Sequence, residues 1–150
     1  MFRVRVCTPP VPNEDGLLQA GGELRLGSQR VGFVVDLRHW TVRDYERQWK
    51  QGTARLLHGA PKSALMTGYR GPGERTHLIW ALWRDGGFVY AQEHPVVVTE
   101  LDPPFEPMDP YSHVGERIAT SEHDLPFPEW RVDLVEVYAG AMGIRWPLAS

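Results

Sequence analysis

At 150 residues, with 42% hydrophobic, 23% charged and 11% aromatic side chains, the chain has material for one compact domain with its own core, which excludes a coiled coil, a disordered tail or a peptide hormone. A formal charge of −3, from 16 Lys and Arg against 19 Asp and Glu, excludes a polycation that seeks nucleic acid or acidic membranes by bulk charge. The single cysteine, Cys7, closes no intrachain disulfide, and no apolar run reaches signal-peptide length or the roughly 20 residues that span a bilayer, so a cytoplasmic location is expected.

Residues 1–22 mix short apolar stretches with Pro9, Pro10, Pro12, Gly16, Gly21 and Gly22. They are expected to form a loose N-terminal segment holding at most an edge strand from Phe2 to Cys7, with Cys7 as a small buried apolar residue. GELRLGSQRVGFVVDL predicts two strands turning at Gly27-Ser28, with Val31, Phe33, Val35 and Leu37 alternating toward the core. The clearest helix signal runs from Thr41 to His58, with Thr41 as N-cap, Asp44 three residues on, and Gly59 and Pro61 as stops. Val42, Tyr45, Trp49 and Leu56 share one face of it, and Arg43, Arg47 and Lys50 the other.

After the helix, KSALMTGY, THLIWALWR and GFVYAQEHPVVV read as strands. The Asp85-Gly86-Gly87 turn makes the second and third a hairpin, and apolar residues on both sides of 78–83 place that strand centrally in its sheet. Residues 102–110, with four prolines and three acids, predict a stiff solvated loop. HVGERIAT and PFPEWRVDL are expected as two further strands with a turn near Glu122 to Asp124. A short helix from about Leu134 to Met142 follows, with Asp133 and Glu136 as a capping pair and Gly143 as its stop. Helices set apart from a consecutive run of strands mean an α+β domain: a mostly antiparallel sheet, one long amphipathic helix packed on a face and a short C-terminal helix, spanning 1–150 as a single unit.

No HExxH, CxxC, GxSxG, Walker or dinucleotide pattern is present, and GYRGPGER is turn chemistry. Glu93 and His94, adjacent in a strand, point to opposite faces and share no ligand sphere. The sequence therefore predicts neither cofactor nor metal nor catalytic residues. Charge is distributed unevenly. Residues 1–84 hold thirteen basic and seven acidic side chains, +6, while 85–136 hold two basic and twelve acidic, −10; Arg145 brings the total back to −3. Fifty-two residues at −10 repel one another, which points either to a basic protein partner outside the fold or to solubility alone; calcium is disfavoured because DPPFEPMDP lacks the register of a calcium loop.

LRHWTVRDYERQWKQGTARLLHGAPKSALMTGY, WALWRDGGFVYAQEH and GERIATSEHDLPFPEWRVDL, in that order, resemble bacterial immunity proteins of contact-dependent growth inhibition and related polymorphic toxin systems, the CdiI type. The likeness covers about Val31 to Tyr138 and rests on order and spacing; the proline-rich stretch at 102–110 and Pro126 and Pro128 depart from the pattern. It implies a non-catalytic protein that binds and neutralises a toxin C-terminal domain, often a nuclease, by occlusion. The acidic half supplies the expected contact surface, with Glu100, Asp102, Glu106, Asp109, Glu122 and Asp124 as its charged part and Phe105 and Tyr111 as aromatic anchors. The alternative is a small-ligand or nucleic-acid binding module using Arg43, Arg47 and Lys50 and the loop from Arg70 to Arg75.

Overall fold

The computed structural model describes residues 1–98, 104–119 and 126–141. Two four-stranded antiparallel sheets carry the fold. In the first, β1 (Phe2–Val6) and β2 (Val11–Pro12) pair with β3 (Leu18–Leu26), which also pairs with β4 (Gln29–Asp36). In the second, β5 (Lys62–Gly68), β6 (Thr76–Asp85), β7 (Phe88–Val97) and β8 (Trp130–Asp133) follow in order. The helices are α1 (Val42–Leu57) and α2 (Leu134–Ala141). This is an α+β fold with antiparallel sheets, as the segregation of helices from strands predicts; the strands divide between two sheets instead of forming one.

The N-terminal segment is not loose. Phe2 pairs with Leu26 and Val6 with Gly22, because Phe2, Val4 and Val6 alternate with Arg3 and Arg5 and give β1 one apolar face. The same alternation turns Cys7 outward: it is exposed, not buried, and its thiol lies 3.4 Å from the Gly21 carbonyl. In β4, Phe33 and Val35 face the core, Leu37 just beyond its end is buried, and Val31 is half-buried.

Local signals set α1. Thr41 accepts from the Asp44 backbone N–H at 3.3 Å and the Asp44 carboxylate accepts from Thr41 N at 2.9 Å, closing a capping box. Tyr45, Trp49 and Leu56 are buried. So is Gln48, a polar residue on the same face, and its position explains how the helix meets the second sheet. β5 is an edge strand with unpaired backbone groups along its outer side. Gln48 donates to the Ala64 carbonyl at 2.9 Å and accepts from Met66 N at 2.7 Å, while Trp49 Nε1 donates to the Met66 carbonyl at 2.6 Å. Ser63 Oγ returns a bond to the Gly52 carbonyl at 2.7 Å. Gly52 permits the approach, since a Cβ there would sit 2.4 Å from the Ala64 oxygen. Tyr45 joins the two sheets, donating to the Asp36 carbonyl and accepting from Tyr69 N; burial pushes its phenol pKa up.

The β6–β7 hairpin turns at Gly86-Gly87; only Gly86, at φ 60°, is in the left-handed region, as the first central position of a type II′ turn requires. β6 lies between β5 and β7, with Ile79, Trp80, Ala81 and Leu82 at most 1% exposed. The expected strand at HVGERIAT does not form: 114–119 is irregular. This segment lies over one face of the second sheet and is held there by side chains from below. Lys62 Nζ donates to the Val114 carbonyl, Trp83 Nε1 to the Gly115 carbonyl and Gln92 Nε2 to the Ile118 carbonyl, at 2.7, 3.1 and 2.7 Å. Gln92 Oε1 accepts from Ile118 N at 3.2 Å, so one amide replaces a rung of a ladder. The strand expected in PFPEWRVDL shortens to Trp130–Asp133, because Pro126 and Pro128 bar regular pairing before it. Glu136 meets the Met1 ammonium instead of capping α2. The turn expected at Glu122 to Asp124 and the stop at Gly143 lie outside the described residues.

Candidate partner-binding surface

The acidic half of the chain forms the second sheet's later strands and the cover laid across its face. Of its twelve carboxylates, Glu100, Asp102, Glu122 and Asp124 lie outside the described residues. Two of the others are neutralised within the fold. Glu129 accepts from Arg117 Nε and Nη2 at 2.6 and 2.7 Å and from Gln92 Nε2 at 2.7 Å, and the Arg117 guanidinium holds its carboxyl below the usual range. Glu136 is paired with the Met1 ammonium. The remaining six, Asp85, Glu93, Glu106, Asp109, Glu116 and Asp133, are exposed, and none forms an ion pair with a described residue.

Glu106 and Asp109 stand together on the cover, joined by the Asp109 N to Glu106 carbonyl turn at 2.9 Å. Phe105 is half-buried beside them and stacks on His77, ring centres 5.2 Å apart and 10° from parallel. Below it His77 is 2% exposed; burial, with Arg70 nearby, lowers its pKa, and its Nδ1 accepts from Arg70 N at 3.1 Å. Tyr111 corrects the expectation of a surface anchor. It is 3% exposed, its hydroxyl accepts from Gln48 Nε2 at 3.2 Å, and the Arg55 guanidinium lies 4.1 Å from its ring centre. A tyrosine whose hydroxyl is tied to the helix seam serves the interior.

Sequence reasoning considers Glu93 only as a metal ligand beside His94, which it rejects, and does not single out Glu116, although the acidic count includes both. A third feature was invisible without strand register. Arg3 pairs with Arg25, and Arg25 with Arg30, so three guanidinium-bearing residues form one cross-strand row, with Glu23 3.6 Å from neighbouring Arg5. Like charges directly opposite one another cost stability. Arg43, Arg47 and Lys50 are exposed on α1, as its helical period predicts. Among the described residues no group of three or more His, Cys, Asp or Glu converges, and no helix is long and apolar enough to cross a membrane.

Comparison with known proteins matches this arrangement to one family. The model of the CdiI N-terminal domain matches residues 35–140, from the end of β4 through most of α2. A chain of the CdiA-CT/CdiI toxin and immunity complex from Enterobacter cloacae shares the fold, with a TM-score of 0.83 at 22% identity, over 95% of this chain and 97% of that one. No curated protein matches the sequence. With most of its length, the α1–β5 seam and the whole second sheet inside the matched span, the chain belongs to the CdiI N-terminal domain family.

Proposed function

We propose that the chain is an immunity protein that binds the toxic C-terminal domain of a CdiA-type protein and neutralises it without catalysis, in the cytoplasm of the cell that makes it. Membership of the CdiI family supports the immunity role, and the similar fold in a toxin and immunity complex agrees with it. The observation that carries the contact surface is the set of exposed carboxylates without ion-pair partners among the described residues, gathered in one half of the chain. Carboxylates left unpaired by the fold are available to lysines and arginines of a partner, and opposed fields raise the rate of association. Enzymes that cleave nucleic acid present basic clefts, so a nuclease domain is the partner this surface fits.

The proposed surface comprises Glu100, Asp102, Glu106, Asp109, Glu122 and Asp124 with Phe105 as its apolar element. Tyr111 supports it from beneath. The test is titration calorimetry of the purified protein against the toxin domain encoded beside it, repeated across a salt series. Tight one-to-one binding that weakens as salt rises is expected, together with loss of the toxin's cleavage of RNA or DNA at stoichiometric protein. Unchanged affinity after Asp102, Glu106 and Asp109 are all replaced by Ala overturns the surface; no complex at all overturns the immunity reading. The exposed Arg43, Arg47 and Lys50 favour a second reading, nucleic-acid binding by α1. A gel shift with random RNA and DNA at low salt separates the two, since the immunity reading expects none.

A further inference from the structure

A cleft of about 230 Å³ opens between the two sheets, walled by Val31 of β4, Trp80 of β6, Glu93 of β7, Trp130 of β8 and Phe127 and Pro128 of the preceding segment. Strand register explains its composition. Trp80 pairs with Glu93 and Ala91 with Trp130, and cross-strand partners project to the same face, so Glu93 shares a face with two tryptophans, one of them 1% exposed. Trp80 and Trp130 meet edge to face at 5.2 Å, and Phe127 is fixed against His94 at 5.4 Å on the far side of β7.

Glu93 is exposed beside these aromatic walls, so its carboxylate is open to a partner. No described residue forms a hydrogen bond or an ion pair with the Glu93 carboxylate. Trp80 lines the cleft from within the core, and its buried Nε1 has no acceptor among the described residues. The half-buried rings of Trp130 and Phe127 and one unpaired carboxylate are the two elements that recognise an organic cation, the rings through their negative faces and the carboxylate through a charge-assisted hydrogen bond. One carboxylate is too few for a divalent metal, which takes several oxygen ligands.

We infer that this cleft is a pocket for one cationic side chain, arginine or lysine, presented by the bound toxin domain. The inference rests on the immunity reading for the identity of the partner, and on the cleft alone for the chemistry. It adds Glu93, Trp80, Trp130 and Phe127 to the contact surface and places a specific anchor beside the diffuse charge of the cover. The pocket supplies orientation, because a guanidinium between flat rings and a carboxylate has few ways to sit.

Indole N–H resonances of Trp80 and Trp130 in a ¹⁵N-labelled sample provide the test, with N-acetyl-arginine amide as the probe and its neutral isostere N-acetyl-citrulline amide as the control. Saturable shifts in the millimolar range with arginine, none with citrulline, and at least fivefold weaker binding in E93Q are expected. Glu93 is exposed, so the variant keeps its fold. No shift, equal shifts with citrulline, or undiminished binding in E93Q overturns the pocket. Against the toxin domain, E93Q is expected to raise Kd about tenfold. A toxin complex of undiminished affinity in E93Q overturns the pocket's role and leaves the immunity reading standing; a wild-type protein that binds arginine amide but no toxin domain overturns the immunity reading.

Discussion

Along the seam between α1 and β5, the helix brings its own side chains to the free edge of a strand, where Gln48 and Trp49 pair the backbone groups in full burial and Ser63 of the strand donates back to the Gly52 carbonyl of the helix. Over the face of the second sheet the traffic runs the other way: Lys62, Trp83 and Gln92 reach up from strands to hold the irregular segment 114–119. The seam is a close fit in which one amide, that of Gln48, serves Ala64, Met66 and Tyr111 and Gly52 leaves no room for a Cβ. The cover is tethered at a few points and leaves its own side chains, Glu106, Asp109 and Glu116 among them, in solvent. A protein whose partner surface must change while its fold persists can place that surface on a tethered cover, where substitutions leave the seam untouched.

The contrast is broken most severely at Gln48. Replacing it by Ala orphans the Met66 N–H and the Ala64 carbonyl in the interior, at ~1–3 kcal/mol each, so a loss of about 3 kcal/mol or more is expected in urea denaturation. Less than ~1 kcal/mol would mean that the seam is not what fixes β5. G52A forces a methyl toward the Ala64 oxygen and is expected to cost about 1–3 kcal/mol in the same assay. On the cover, W83F removes the tether to Gly115 and should cost about 1 kcal/mol, with faster amide exchange confined to 114–119.

A smaller effect is expected from pH. Burial lowers the pKa of His77 and of His94 from the ordinary 6.5, so the unfolded chain takes up these protons first. Stability is therefore complete above about pH 6.5 and declines as pH falls below it toward the folded values. Denaturation midpoints at pH 7.5 and 5.5 measure the decline, and H77N, which keeps an acceptor for Arg70 N, should make it shallower. Smallest of all, replacing Glu106, Asp109 and Glu116 together by Ala is expected to change stability by no more than about 0.5 kcal/mol per site, while toxin affinity falls and its salt dependence flattens.

These two regions also differ in how they are written into the sequence. The capping box at Thr41 and Asp44, the 3.6-residue period of α1 and the Asp85-Gly86-Gly87 turn are local, and each is readable within a few residues. Gln48 is not, because a polar residue on an apolar face makes sense only with Ala64 and Met66, 16 and 18 residues away. HVGERIAT has the composition of a strand and fails to become one because its anchors, Lys62, Trp83 and Gln92, lie scattered over earlier strands and reach it across a face, not along an edge. The acidic bias of 85–136 is visible in a charge count. Which carboxylates the fold neutralises, and that Tyr111 turns inward, depends on pairings that no spacing reveals.

One contact bears on timing. Gly140 of α2 packs so closely on β1 that a Cβ would fall 2.2 Å from the Phe2 carbonyl, and Tyr138 of the same helix donates to the Leu57 carbonyl at 2.9 Å. β1 is covered by a helix more than 130 residues further along the chain, and α1 is joined to both. Such long-range closure is slow and cannot begin until the distant partner exists. Nascent chains would gain this closure only after α2 has emerged, so the folded unit would trail the synthesis of each molecule by the time needed to close it.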